Sequence, residues 1–147
     1  MVAVSLTTTR YIMQTIVYAQ DRRITPEQLA DVFTRSGIQR PVDDLARMEK
    51  MLQHGNLLIT AWDGESLIGV ARALTDFAFC CYLSDLAVDR EYQHRGIGQA
   101  LIEQVRSAIG QDSMLLLLAA PGAMAYYPKV GFEAVANGWI IQRPSAV

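Results

Sequence analysis

Residues Gln93-His94-Arg95-Gly96-Ile97-Gly98 lie between an apolar run that ends at Val88 and an amphipathic segment over 97–109, and they constrain the chain more than any other stretch. The order reads as strand, tight loop and helix N-terminus. Two glycines let the backbone approach a ligand without Cβ clashes, and the first helical turn presents free N–H groups and the positive end of its dipole. Such a loop is a phosphate cradle. A strand feeding a helix in this way belongs to a domain in which helices cover a sheet, the α/β or α+β class.

The remaining elements fit that class. Residues 11–18 alternate as a strand. A helix then starts at Thr25, with Pro26 at its first position and Gln28 completing a capping box before Leu29, Val32 and Phe33; Gly37 ends it. Asp43 and Asp44 open a second helix whose apolar positions Leu45, Met48 and Leu52 share one face, and His54-Gly55 closes it. Strands are expected over 57–62 and 67–74, joined by a hairpin turn at Asp63-Gly64, and over 79–88. The glycine-loop helix stops at Gly110, and 114–119 is apolar enough for a central strand. Further expectations are a helix over 123–127 and two closing strands, 132–135 and 139–141, around Asn137-Gly138. No repeat or low-complexity linker interrupts residues 1–147, which read as a single domain on one mixed sheet.

Charge and composition remove several function classes. A net charge of -2, with 19% charged and 51% hydrophobic residues, suits neither disorder nor a general nucleic-acid surface. No apolar run approaches the length of a membrane span, and the N-terminus lacks the basic and apolar regions of a signal peptide, so a cytoplasmic protein is expected. Cys80 and Cys81, the only cysteines, are adjacent; they read as reduced, buried thiols, and no metal site is expected.

The cradle's ligand follows from its neighbours. A P-loop would need Lys and then Ser or Thr after its last glycine, and that run is missing. A dinucleotide fingerprint would want Gly or Ala where Leu101 stands, and an acidic residue after the next strand, where Ala119-Ala120-Pro121 stands. By contrast, Gln93, Gly96 and Gly98 satisfy a pattern of Arg or Gln, two residues, Gly, one residue, Gly or Ala. A second segment, Tyr126-Tyr127-Pro128-Lys129-Val130-Gly131-Phe132, follows at the proper distance. In these two motifs and in element order the chain resembles the GCN5-related N-acetyltransferases, the GNAT family.

The resemblance implies a mixed, mostly antiparallel sheet of about six to seven strands with about four helices, splayed at the strand ending near Val88. It implies acetyl transfer from acetyl-CoA to a primary amine of a small molecule or a peptide N-terminus, in a ternary complex and as a homodimer. No nucleic-acid or membrane partner is implied. The donor would lie against the backbone of Leu86, Ala87 and Val88, with the N–H of Leu86 or Ala87 meeting the thioester oxygen, and its phosphates would meet Gln93, His94, Arg95, Gly96, Ile97, Gly98 and Gln99. Arg90 and Lys129 are further phosphate contacts. Tyr127 corresponds to the tyrosine that acts as general acid beside the sulfur in many relatives, with Tyr126 as substitute, and Asp85, the only acid between Cys80 and Val88, stands either as general base or as a residue that caps a turn or pairs with an arginine. From layout, Phe33, Arg72, Phe77, Tyr82 and Trp139 would line the acceptor groove. The competing expectation is a non-catalytic acyl-CoA sensor or interaction module on the same fold.

Overall fold

The computed structural model describes residues 15–144. Strand β1 (Val17–Gln20) leads to helices α1 (Pro26–Ser36) and α2 (Leu45–His54), then β2 (Leu57–Asp63), β3 (Ser66–Thr75), β4 (Cys80–Val88), helix α3 (Ile97–Ile109) and β5 (Met114–Leu116). The five strands lie in one sheet in chain order. β1 to β4 are antiparallel, and β4 pairs with β5 in parallel. A parallel pair needs a crossover, and α3 supplies it.

Local chemistry explains the helices. Thr25 accepts from the Gln28 amide at 3.1 Å while Gln28 Oε1 accepts from the Thr25 amide at 2.9 Å, which closes the capping box read from the sequence. Gly37 ends α1 in the left-handed conformation, and Asp44 caps α2. Two apolar clusters sandwich the sheet. α3 buries Ile97, Leu101, Ile102, Val105 and Ile109 on one face against β2, β3 and β4. On the other face Leu29, Val32 and Phe33 of α1 and Met48 of α2 pack against Trp62, Leu67, Val70 and Ala87.

The C-terminal third departs from expectation. In place of a helix over 123–127 there are two 3-10 turns, Pro121–Ala123, opened by its proline, and Tyr127–Val130, with Pro128 at its second position and Gly131 at φ 95° as its stop. Pro128 has no N–H to donate to the carbonyl four residues earlier, so the turns do not join into one continuous α-helix. Residues 132–135 and 139–141 form no strand, and Trp139 and Ile141 are almost wholly exposed. The described residues therefore hold five strands and three α-helices. Residues 11–14 of the expected first strand lie outside them, and its described part runs further, to Gln20.

Candidate active site

A one-residue insertion in β4 shapes the site. The register with β3 passes from Arg72↔Asp85 to Ala73↔Leu83, leaving Ser84 as a bulge. Because side chains alternate, the extra residue inverts which positions face which layer. Before it, Cys81 and Leu83 join the α3 cluster; after it, Ala87 joins the opposite one, and Leu86 and Val88 turn toward α3. β5 follows β4 only from Cys80↔Met114 to Tyr82↔Leu116. Beyond that point the strands part.

The direction of the freed backbone groups follows from one bond. The Asp89 amide donates to the Ile68 carbonyl at 2.8 Å, so the paired residues Val70 and Ala87 also point their peptide groups at each other. Leu86 and Val88 must then present theirs to the opening. Gln93 agrees with this, since its Nε2 donates to the Val88 carbonyl at 2.8 Å. Of the two expected oxyanion donors, Leu86 faces the opening and Ala87 does not; the Ala87 amide is turned into the sheet.

The opening is a cavity of about 210 Å³ between Leu83, Ser84 and Leu86 of β4, Ile38 and Arg40 of the loop after α1, the chain that leaves β5, and Tyr127. The Tyr127 ring is wedged edge-on between Tyr126 and Phe132, with centroids 5.3 and 5.5 Å away. Burial pushes its phenol above the usual value and the Tyr126 hydroxyl adds to this, while Arg40 pulls the other way. At neutral pH Tyr127 therefore holds its proton.

Asp85 is paired with arginines, the second of its two expected settings. It is 1% exposed, and its two oxygens accept from Nε of Arg40 and Nε of Arg72, each at 2.5 Å. Arg40 Nη2 also donates to the Ser84 carbonyl at 2.8 Å, and Arg72 Nη2 to Ser84 Oγ at 3.0 Å. Two guanidinium groups thus staple the bulge through Asp85. With both oxygens engaged by guanidinium groups and neither bordering the cavity, Asp85 is placed as an anchor of the bulge. Arg72, 7% exposed and bonded also to the Met51 carbonyl, is part of this anchor and lines no groove. A lone acid and a lone arginine in two otherwise uncharged adjacent strands were the signal for the pair; Arg40, in a loop before Pro41, carried none.

The glycine loop has the anticipated form. Gly96 caps α3 at φ 79°, with open space where a side chain would stand, and Ile97 is buried as an anchor. His94 is also left-handed, at φ 64°, which turns the loop ahead of the helix. Asp89 holds the near end, accepting from the Glu91 amide and pairing with Arg35 of α1. A Cβ on Gly98 would stand 2.8 Å from the Tyr126 hydroxyl, so the tyrosine covers the first turn of α3. His94, Arg95, Gln99 and Lys129 are exposed around this end. Arg90 lies over Gly37 instead, because its guanidinium occupies the space where a Gly37 Cβ would be.

The expected acceptor residues do not converge. Phe33 is fully buried beneath α1 and faces no groove. Phe77, Tyr82 and Trp139 are exposed, 48%, 39% and 98%, but none borders the cavity. The sequence reading missed Ile38, Arg40 and Ser84, which do. Cys81 is buried as expected, whereas Cys80 at the start of β4 is exposed.

A left-handed glycine ahead of a helix, beside two strands that part and expose peptide groups, defines a receptacle for an extended ligand with a phosphate at one end. Residues 22–139 match the family described as acetyltransferase (GNAT) domain, and the chain belongs to the GNAT family. A chloroplastic GCN5-related N-acetyltransferase 2 of Arabidopsis thaliana is 40% identical over 83 residues, 52% of this chain and 32% of its own length. This chain thus spans about a third of that relative. Among solved structures, a Staphylococcus aureus protein of unknown function, SA2161, superposes with a TM-score of 0.75 at 24% identity, covering 88% of this chain and all of its own. The aminoglycoside N-acetyltransferase AAC(6')-Iy, solved with CoA, gives 0.65 at 17% identity, over 89% of this chain and 96% of its own.

Proposed function

We propose that the protein transfers the acetyl group of acetyl-CoA to a primary amine of a small molecule or a peptide N-terminus, by direct attack in a ternary complex. One observation carries this reading: the unpaired Leu86 peptide and the Tyr127 side chain border the same small cavity, at the end of the strand that leads to the glycine cradle. The residues fit the donor. The Gly96 cradle and the exposed Arg95 and Lys129 offer amides and cations to its phosphates, and the Leu86 and Val88 peptides offer strand-like pairing to its pantetheine arm.

In the reaction the neutral amine attacks the thioester carbon, a C–N bond forms and the carbonyl oxygen takes the negative charge. The Leu86 N–H stabilises that oxyanion. When the C–S bond breaks, the thiolate takes the Tyr127 proton, and the proton lost by the amine passes through water to restore the phenol. The test follows thiol release from acetyl-CoA over a panel of amines, with Tyr127→Phe alongside wild type. Turnover by wild type and a fall of about 100-fold or more in kcat, with little change in the KM for acetyl-CoA, is expected. CoA retention without thiol release for any amine would instead establish a non-catalytic acyl-CoA sensor.

A further inference from the structure

The charges around the reaction cavity are lopsided. Among the described residues that line it, Arg40 is the one charged side chain; the others are apolar, apart from Ser84 and Tyr127. Asp85, the carboxylate packed against this wall, is shared between Arg40 and Arg72, so the group of three carries one net positive charge. Residues 1–14 and 145–147 contain no Asp, Glu or His, so they supply no side-chain base. Among the described residues, the charged and titratable side chains at the cavity and its wall are Arg40 from the α1–α2 loop, Arg72 from β3, Asp85 from β4, and the phenols Tyr126 and Tyr127 after β5. None of them offers a free carboxylate or imidazole that would hold an incoming ammonium ion or deprotonate it before attack.

We propose that this site accepts its amine already neutral, and that its acceptors are weakly basic primary amines, of which the α-amino group of a peptide or amino-acid amide is the defining class, rather than strongly basic alkylamines such as a lysine side chain. The inference rests on the acetyl transfer proposed above. Its size follows from proton equilibria. An α-amine with a pKa of ~8 is roughly a tenth neutral at pH 7, whereas a lysine-type amine at ~10.4 is neutral in only about 4 molecules per 10,000. Supplying no base leaves that ratio, about 250-fold, as the upper bound on selection between the two classes, because the more basic amine is also the better nucleophile once neutral and regains part of it. The positive wall acts in the same direction as the ratio by repelling ammonium.

The experiment uses the full chain, acetyl-CoA and matched acceptors that share a skeleton but differ in basicity, such as phenylalaninamide with 2-phenylethylamine, and the corresponding pairs with other side chains. At pH 7 the weakly basic member of each pair that is turned over should have a kcat/KM about 10-fold or more above its partner. Between pH 6 and 10 the logarithm of kcat/KM should rise with unit slope to an inflection at each acceptor's own pKa. Equal rates within pairs at pH 7, or one inflection shared by all acceptors, would reveal a base in the protein and overturn the inference while leaving acetyl transfer intact. Absence of thiol release with every amine would overturn both.

Discussion

The contact between Gly98 and Tyr126 joins the glycine loop to the tyrosine pair. A methyl group on Gly98 would sit 2.8 Å from the Tyr126 oxygen but 3.6 Å from the ring carbon that bears it, so the hydroxyl alone makes the conflict. Two effects then compete in Gly98→Ala. Alanine in a helix gains up to about 1 kcal/mol over glycine, and overpacking costs about 1–3 kcal/mol. Tyr126 is half-buried with its edge on Tyr127, so it has little room to yield. Overpacking wins, and Gly98→Ala should destabilise the protein by about 1 kcal/mol in urea titrations. Against a Tyr126→Phe background the same change should become neutral or stabilising. Destabilisation of equal size in both backgrounds would show that the hydroxyl is not the obstacle.

At the scale of elements, α1 and the turn between β3 and β4 are held by side-chain oxygens on backbone amides. Thr25→Ala removes half of the capping box and should cost about 1 kcal/mol in denaturant titrations. In the turn, Asp76 accepts from the Cys80, Phe79 and Ala78 amides, which hold its carboxyl down at about 2. A folded value below the unfolded one of 3.8 contributes stability above about pH 4 that fades as pH falls toward 2. Asp76→Asn should therefore flatten the dependence of the melting temperature on pH between 4.5 and about 2.5; a slope equal to wild type would contradict the turn's role. The same elements show what a sequence displays. Thr25, Pro26 and Gln28 carry their own partners within one turn, so α1 was legible to the residue. The apolar stretches 132–135 and 139–141 show a period but name no partner strand, and the structure leaves them unpaired. Ser84 was hidden for another reason: β4 is covered on both faces, so a bulge that swaps its faces breaks no hydrophobic pattern.

For the whole molecule, the decisive junction is the one where the α1–α2 loop, β3 and β4 meet at Asp85. Removing one partner of a buried ion pair costs about 3–5 kcal/mol, because the remaining charge is left without compensation. Arg72 is nearly sealed, but Arg40 keeps 27% of its side chain in water, which lessens the cost on that side. Asp85→Ala should thus destabilise by about 3 kcal/mol, toward the lower end of that range. Replacing the three together, as Arg40→Met, Arg72→Met and Asp85→Leu, should recover most of the loss, since an apolar set leaves no orphaned charge. Stability alone does not separate an anchor from a base, so the kinetics must be read beside it. The milder Asp85→Asn keeps the shape and one acceptor oxygen. As an anchor it should lower the melting temperature and kcat together, because the bulge that aims the Leu86 amide loosens, while the inflection in the pH profile stays at the pKa of the acceptor. An inflection that disappears in Asp85→Asn, with the melting temperature unchanged, would return Asp85 to the role of general base.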